Sequence, residues 1–193
     1  MNVSQLRNAT IQYDPFFIEA TEALRLFEKL KLELPWEQTK IKLFGKEFDV
    51  PRTEAYFADE GMTYGYSGKK LTLNPWNPEL LTLKKRIEQQ TGHFFNACLA
   101  NFYRNGNDSN GLHADNEVEL GKNPVIASLS FGATRKFRLK HNQTKEVVNY
   151  ELTNGSLLIM SGECQHYWKH EVPKQKKIQE GRINLTFRRI FER

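Results

Sequence analysis

The sequence lacks the features of disulfide-bonded, thiolate-zinc and membrane-spanning proteins. Cysteine occurs only at Cys98 and Cys164 in 193 residues, and no C-x-x-C pair is present. Two cysteines can form neither a disulfide framework nor a four-thiolate zinc site. The longest apolar runs, such as residues 156–160, fall far short of the roughly 20 residues that a spanning helix needs. We therefore expect a protein that does not cross a membrane.

Signals for secretion, internal repeats and low-complexity tracts are also missing. Residues 1–10 are polar and contain no apolar segment of the kind found in signal peptides. Together with the scarce cysteines, this predicts an intracellular protein, cytoplasmic in a bacterium or nuclear in a eukaryote. The 39% hydrophobic and 26% charged residues are typical of a chain that folds around one core. We expect one compact domain and a monomer.

The positive charge is concentrated in the last third of the chain. Residues 1–134 hold 15 Lys and Arg against 17 Asp and Glu, whereas residues 135–193 hold 13 against 6. Such asymmetry suits a polyanionic partner, since phosphate contacts dominate affinity for nucleic acids. A solvated basic face explains the charge distribution equally well.

The first half of the sequence predicts two helices and a hairpin. Asp14 followed by Pro15 is a typical helix start, and apolar residues recur at helical spacing until Leu34. Residues 39–50 alternate around a turn at Gly45, which predicts a β-hairpin. Pro78 opens a second helix.

Beyond residue 92 the pattern predicts only strands. Two helices followed by a run of strands indicate an α+β fold, in which a sandwich or barrel carries the helices on one side. The predicted strands cover residues 95–103, 125–131, 136–140, 147–152, 156–160, 167–172 and 182–190.

A possible metal site lies in the motif His113-Ala114-Asp115. Residues two apart on a strand point the same way, and His170 on another predicted strand would complete two histidines and one carboxylate. This set is the facial triad of non-haem Fe(II) oxygenases. The alternatives are a histidine that caps the loop, a solvated Asp115 and a core His170.

A second candidate is the segment from Arg182 to Arg188, RINLTFR. Arg182, Asn184, Thr186 and Arg188 share one face of the predicted strand, and the apolar residues share the other. Two guanidinium groups on one face suit a small dicarboxylate. The alternative is an amphipathic strand whose polar face lies in water.

Taken together, these motifs resemble the AlkB family of Fe(II)- and 2-oxoglutarate-dependent nucleic-acid demethylases, and particularly its duplex-DNA-acting members. The resemblance extends over residues 40–190. It is carried by NFY at 101–103, HADNE at 113–117, SLSFG at 128–132, His170 and RINLTFR at 182–188.

This resemblance implies a double-stranded β-helix, or jelly-roll, core over residues 93–193. Residues 1–92 would supply helices, a nucleotide-recognition hairpin and a lid packed on that core. Iron would be ligated by His113, Asp115 and His170, with His166 as a rival third ligand. The residues assigned to 2-oxoglutarate are Asn101, Tyr103, Arg182, Asn184, Thr186 and Arg188, and Arg188 is also counted with the catalytic set.

Substrate recognition is assigned by the resemblance mainly to the N-terminal half. Phe44, with Gly45 and Lys46 at the hairpin tip, would wedge into the base stack when a nucleotide is flipped out. The alternative is a Phe44 folded back onto the sheet. The lid would consist of Tyr64, Gly65 and Tyr66, with Tyr66 stacked on the flipped base opposite His113.

The two residues that follow the possible iron-binding motif, Asn116 and Glu117, and a cluster of lysines complete the expected substrate contacts. Glu117 would face a cationic alkylated ring. Asn116 stands where close relatives carry an acid, and Tyr66 where they commonly carry Phe, so the lesion preference is open. Phosphate contacts are expected from Lys169, Lys174, Lys176 and Lys177.

The reaction implied is oxidative demethylation of 1-methyladenine or 3-methylcytosine with loss of formaldehyde, using Fe(II), 2-oxoglutarate and O2. The expected partner is alkylated DNA, with duplex favoured. Alternatives are a same-fold oxygenase acting on RNA or protein, and a nucleic-acid-binding module with a degenerate metal site.

Overall fold

The computed structural model describes residues 1–43, 45–62, 65–66 and 69–191. Two long α-helices, a one-turn α-helix, a 3-10 helix at Val118–Leu120 and fifteen strands form within these ranges. The helices are α1 Ala20–Glu33, α2 Pro78–Thr91 and α3 Cys164–Tyr167. The strands are β1 Asn2–Leu6, β2 Ala9–Asp14, β3 Glu37–Leu43, β4 Lys46–Ala58, β5 Gly65–Tyr66, β6 Lys69–Lys70, β7 Leu73–Asn74, β8 Ala97–Tyr103, β9 Asn110–His113, β10 Ile126–Gly132, β11 Arg135–His141, β12 Val147–Leu152, β13 Leu157–Ser161, β14 Trp168–Val172 and β15 Arg182–Arg188.

Two facing antiparallel sheets make up the body of the protein. The large sheet has nine strands in the order β1-β2-β13-β10-β15-β8-β4-β3, with β7 pairing in parallel to β4. The small sheet has the order β12-β11-β14-β9. Apart from the consecutive pairs β1–β2, β3–β4 and β11–β12, neighbouring strands are far apart in sequence, so the pairing is largely non-local, as expected for a jelly-roll. The predicted α+β jelly-roll is confirmed.

Helix α1 begins later than predicted. Strand β2 continues to Asp14, whose carboxylate accepts a hydrogen bond from the Phe16 backbone N–H at 3.0 Å and so forms a turn. The N-cap is Glu19, which accepts from the Thr21 and Glu22 amides at 2.9 and 3.1 Å. The prediction of a helix start at Asp14 was wrong because an aspartate that satisfies nearby amides serves a turn as well as a helix.

Helix α2 follows its sequence signals closely. Asn77 caps it by accepting from the Glu79 amide at 2.9 Å, and Pro78 occupies the first turn. It ends at Gly92, whose φ of 71° is the left-handed conformation that favours glycine. The start at Pro78 and the end near Gly92 are confirmed.

Four short or terminal elements were not predicted. β1 and β2 form an N-terminal hairpin whose second strand pairs with β13, although this segment is polar. β9 lies within the expected turn region, where His113 pairs across to β14. The start of the strand predicted from residue 167 belongs instead to α3. Tertiary pairing, which local pattern does not report, determines these elements.

The core has two parts, one on each face of the large sheet. Helices α1 and α2 pack on the outer face through Leu26, Leu30 and Leu80. The inner face packs against the small sheet, where Tyr103 and Phe137 belong to the same apolar cluster. None of the helices in the described ranges is long and apolar enough to cross a membrane.

Candidate functional site

Two histidines and an aspartate converge where the small sheet meets the loop after β9. His113 ends β9, and its Cα is the direct cross-strand partner of His170 on β14. Asp115 lies two residues beyond His113. One ligand atom from each side chain lies within 4.8 Å of the other two. The structure therefore brings together the three residues that the sequence predicted as a metal site.

The hydrogen bonds of His113 favour one tautomer. Its Nδ1 lies 2.7 Å from the carbonyl oxygen of Gly111. A carbonyl can only accept, so Nδ1 carries a proton, and in the neutral ring the lone pair is therefore on Nε2. That Nε2 lies 3.7 Å from Asp115 Oδ1. A backbone carbonyl that orients an imidazole in this way is typical of metal-binding histidines.

His170 is buried in its neutral form. Its ring stacks on Phe137, with centroids 5.3 Å apart, and lies 4.3 Å from the His113 ring. Burial, together with the nearby His113, lowers the pKa of His170 to about 3. An imidazole that stays neutral at physiological pH has a lone pair available for a metal ion.

Asp115 is held ionised by its surroundings. Burial alone would raise the pKa of this carboxyl, but Arg188 and the two histidines outweigh it and lower the pKa to about 2. Arg188 donates from Nε and Nη2 to Oδ2, at 3.1 and 2.8 Å. The Asp115 backbone N–H donates to Gln165 Oε1 at 2.9 Å. The carboxylate is therefore both charged and fixed in position.

His166 does not join this cluster. It lies on α3, exposed to solvent, and its carbonyl oxygen accepts a hydrogen bond from Asn142. The solvated Asp115 considered from the sequence is also wrong, because Asp115 is only 2% exposed. Of the two candidates for the third position, the geometry selects His170.

The triad fits ferrous iron. Two imidazoles and a carboxylate on one side of an ion form the set found in non-haem Fe(II) oxygenases, and three protein ligands leave further coordination positions open. Asp115 is ionised and His170 neutral, as ligation needs, and the Nδ1 contact of His113 leaves Nε2 as its ligand atom.

A cavity of about 590 Å³ opens beside the triad, between the two sheets. It is lined by residues of both sheets and of the hairpin β3–β4, including Ile41 and Val50. The predicted site residues that line it are Asn101, Tyr103, His113, Asp115, Asn116, Glu117, His170, Arg182, Asn184, Thr186 and Arg188.

The polar face of β15 points into this cavity and is buried, so the alternative of a solvated polar face is wrong. Arg182 is 1% exposed and donates from Nη2 to Ser130 Oγ at 2.9 Å. Its Nε and Nη1 have no hydrogen-bond partner among the described residues. Burial lowers the pKa of Arg182 to about 10, which leaves it cationic near neutrality. Buried, unpaired guanidinium donors suit a carboxylate ligand.

The other predicted cosubstrate residues line the cavity with most of their polar groups already engaged. Asn184 donates to Ser128 Oγ at 2.8 Å and accepts from Thr186 Oγ1 at 2.9 Å. The Asn101 side-chain oxygen accepts from Arg52 Nε at 2.7 Å. These contacts orient the two amides.

Arg188 donates to one of the metal-binding residues. The resemblance implies that both arginines pair with carboxylates of 2-oxoglutarate, and for Arg188 this stays a prediction. In the structure its guanidinium donates to Asp115. Its position six residues after Arg182 puts it on the same strand face, and the strand carries it to the metal end of the cavity.

Sequence reasoning missed a buried network that reaches the cavity wall at Arg52. Arg52 donates to Asn101 and pairs with Glu54 at 2.8 Å, and Glu54 accepts from Thr39 at 2.5 Å. Alternation in β4 was a usable signal, since Arg52 and Glu54 are two apart within an otherwise apolar stretch. Gln165, the partner of Asp115, carried no comparable signal.

The predicted substrate residues fall into three groups: those that line the cavity, those at the β3–β4 turn, and those that the structure leaves wholly or partly undescribed. Glu117 lines the cavity half-buried, and Asn116 lines it while largely exposed. Gly45 and Lys46 lie at the β3–β4 turn, beyond the described lining of the cavity. Phe44 and Tyr64 lie outside the described residues, and the structure describes only the backbone of Gly65 and Tyr66.

Comparison with known proteins agrees with this fold and site. Residues 10–188 match the family model of the 2OG-Fe(II) oxygenase superfamily. Among curated proteins, the chain is 42% identical over 187 residues to alpha-ketoglutarate-dependent dioxygenase alkB homolog 3 of Bos taurus, covering 92% of this chain and 65% of that protein. It is 40% identical over 181 residues to DNA oxidative demethylase ALKBH2 of Mus musculus, covering 88% of this chain and 76% of that protein.

The chain belongs to the 2OG-Fe(II) oxygenase superfamily and, within it, to the AlkB family. Fe(II), 2-oxoglutarate and O2 are the cofactor and cosubstrates of this superfamily. The chain spans about 65% of the length of the alkB homolog 3 relatives that it matches. The solved structure of OsALKBH1 superposes with a TM-score of 0.62 at 19% identity, covering 96% of this chain and 100% of that one. This structural match supports the fold.

Proposed function

We propose that this protein is an Fe(II)- and 2-oxoglutarate-dependent dioxygenase that demethylates N-alkylated bases in DNA, such as 1-methyladenine and 3-methylcytosine. The observation that carries the proposal is that one cavity is lined both by the triad and by Arg182, whose Nε and Nη1 have no hydrogen-bond partner among the described residues. Family membership and the activities for which the relatives are named support the same activity.

In this proposal His113, Asp115 and His170 hold the iron. When bound, iron with 2-oxoglutarate and O2 supplies the oxidation of the N-methyl group, after which the hydroxymethyl product loses formaldehyde. The protein contributes ligation, orientation and exclusion of water. Arg188 keeps the Asp115 carboxylate ionised and oriented, since its Nε and Nη2 both donate to Asp115 Oδ2. Its pairing with a carboxylate of 2-oxoglutarate stays part of the proposal.

Arg182 is the proposed partner of the distal carboxylate of 2-oxoglutarate. Its buried Nε and Nη1 would gain from the carboxylate the charge-assisted hydrogen bonds that no described residue provides. Asn101 and Tyr103, with Asn184 and Thr186, would complete the lining around the cosubstrate. Ser130 Oγ accepts a hydrogen bond from Nη2 of this guanidinium and so fixes its orientation.

Substrate entry is proposed from the side of the cavity that carries Asn116 and Glu117. Asp115 and His170 are at most 5% exposed, so a base that stays stacked in a duplex would not reach them and must be flipped out. The Glu117 carboxylate would favour the positive charge of an alkylated ring. We assign the wedge to Phe44, supported by Gly45 and Lys46, and the lid to Tyr64, Gly65 and Tyr66.

The phosphate backbone is assigned to exposed lysines after and within β14. Lys169, Lys174, Lys176 and Lys177 are all exposed, as contacts to a polyanion require. A monomeric, intracellular protein, cytoplasmic in bacteria or nuclear in eukaryotes, remains part of the proposal.

The experiment is a repair assay with mass detection. Purified protein with Fe(II), 2-oxoglutarate and ascorbate is given duplex DNA bearing one 1-methyladenine. The oligonucleotide should lose the mass of one methylene group and formaldehyde should appear, with neither change in a His113→Ala variant or without 2-oxoglutarate. Turnover of 2-oxoglutarate without any change on duplex or single-stranded DNA would contradict the proposal and favour an RNA or protein substrate.

A further inference from the structure

Arg135, the first residue of β11, is a buried cation that the proposed chemistry leaves unused. It is 0% exposed. Its guanidinium donates to four oxygens, none of them a carboxylate: Asn105 O at 3.1 Å, Asp108 O at 2.8 Å, Pro173 O at 2.8 Å and Gln175 Oε1 at 3.3 Å. Burying a guanidinium among neutral acceptors is costly, so a specific role should compensate for it.

The four acceptors belong to two separate loops. Asn105 and Asp108 lie between β8 and β9, whereas Pro173 and Gln175 begin the loop between β14 and β15. Because one guanidinium binds both, Arg135 joins the two loops. The loop after β14 is the one that carries the exposed Lys174, Lys176 and Lys177.

Backbone contacts show how closely these loops approach. Gly106 donates to Ile178 O and accepts from Gln175 N, both at 2.8 Å. A Cβ at Gly106 would lie 1.9 Å from the Gln175 carbonyl oxygen, so only glycine fits there. The lysine-bearing loop is therefore docked on the β8–β9 loop.

The same guanidinium lies against the cosubstrate end of the cavity. Arg135 Cζ is 5.6 Å from the centre of the Tyr103 ring, and Arg182 Cζ is 5.2 Å from it. Tyr103 and Arg182 are also direct cross-strand partners at the end of β8 and the start of β15. Tyr103 is thus in contact with two buried cations, of which only Arg182 has unpaired donors.

We propose that Arg135 is a positioning residue for 2-oxoglutarate, which holds Tyr103 and the two loops so that Arg182 is aimed at the distal carboxylate. Its positive charge adds to the field that attracts a dianion. Consistent with this, burial first and then the nearby charge of Arg135 lower the pKa of Arg182. This inference rests on the proposed function, because 2-oxoglutarate is the ligand concerned.

Metal binding should not depend on Arg135. His113 and His170 are held by their own cross-strand register, and Asp115 by Arg188 and Gln165. The expected signature is a weakened 2-oxoglutarate affinity with an unchanged metal affinity. A residue that merely stabilised the fold would not separate the two.

The test is calorimetry on the full chain with Mn(II), which replaces iron without oxygen chemistry. Mn(II) is titrated first and 2-oxoglutarate second, into wild type, Arg135→Lys and Arg138→Lys. Arg138 is the matched control, since it lies three residues further on β11, half-exposed, and pairs with Glu171. Arg135→Lys keeps the charge but cannot bridge four acceptors, so the Kd for 2-oxoglutarate should rise about tenfold. The Kd for Mn(II) should stay within about twofold of wild type in both variants, because neither arginine is a hydrogen-bond partner of the metal-binding side chains.

A milder variant keeps the test decisive if Arg135→Lys fails to fold. Gln175→Ala removes one acceptor of Arg135 and should raise the Kd for 2-oxoglutarate about threefold. An unchanged 2-oxoglutarate Kd, or an equal loss of Mn(II) affinity, would overturn the inference about Arg135. If wild-type protein with Mn(II) binds no 2-oxoglutarate, the proposed function itself is wrong.

Discussion

The two faces of the large sheet use the same strands for opposite purposes. On β15, Ile183, Leu185 and Phe187 are buried against the helices in an apolar core. Arg182 and Arg188, on the same strand, are buried as deeply but line the cavity. The apolar face stabilises the fold through burial, whereas burying the charged groups of the polar face costs free energy of folding. Substitutions on the two faces should therefore have separable effects.

The largest effect is expected at the metal end of the polar face. His170→Ala should reduce demethylation to the level of chelator-treated protein, because two ligands hold iron much more weakly than three. Fe(II) or Mn(II) titration measures the lost affinity directly. His166→Ala is the matched control, since His166 is an exposed histidine four residues away. Equal losses in both variants would contradict the assignment of His170.

A large effect on the KM for 2-oxoglutarate, without loss of metal binding, is expected from Arg182 at the other end of the cavity. Arg182→Gln should raise the KM for 2-oxoglutarate about 10- to 100-fold, since one charged hydrogen-bonded pair is worth about 1.5–3 kcal/mol. Steady-state kinetics at varied 2-oxoglutarate measures this. Arg189→Gln, at an exposed position next to the same strand, should behave like wild type. A KM unchanged in Arg182→Gln would contradict the carboxylate role.

On the apolar face the comparison predicts a change in stability with little change in chemistry. Leu185→Ala should lower the free energy of unfolding by about 2–5 kcal/mol, because it leaves a cavity in the core beneath the helices. The KM for 2-oxoglutarate should stay near the wild-type value below the unfolding transition. Urea denaturation measures the loss, with the exposed Leu24→Ala as control. A KM that rose with the lost stability would show that the two faces are coupled.

A smaller, pH-dependent effect on the free energy of unfolding is expected at Asp108, which lies in the loop between β8 and β9 and on neither face of the large sheet. Burial alone raises the pKa of Asp108, but hydrogen bonds from Arg104 outweigh it, so the pKa lies below its ordinary value of 3.8. A lowered folded pKa contributes stability above the unfolded pKa, and that contribution is lost as pH falls through the folded pKa.

Asp108→Asn should therefore cost about 1–2 kcal/mol near pH 7, reduced by solvent screening of the half-exposed Arg104. The difference from wild type should shrink as pH falls below about 4. Denaturant midpoints measured across pH test this. A difference that grows in acid would contradict the sign.

The smallest effect is expected from the exposed lysines of the loop after β14. Replacing Lys176 and Lys177 with Ser should weaken DNA binding uniformly and reduce the slope of log affinity against log salt by about one per lysine. Fluorescence anisotropy at several salt concentrations measures the slope. A slope that equals the wild-type value would assign these lysines to a solvated loop.

The fold and the metal site were predictable from the sequence to different depths. Alternation and spacing found most core strands, helix α2 and the polar face of β15, since side-chain periodicity is a local property. The hairpin of β1 and β2 and the short β9 were missed. These strands are ordered by partners distant in the sequence, and local pattern carries no record of such partners.

What the sequence determined by itself is the chemical identity of the site and the alternation that puts Arg182 and Arg188 on one face. Only the tertiary structure decided between His170 and His166, paired Arg188 with Asp115, and buried Arg135 beneath two loops. The physical reason is that burial, charge pairing and hydrogen-bond satisfaction depend on contacts across the sheets. A strand's periodicity specifies which way a side chain points, whereas its neighbours determine what it meets.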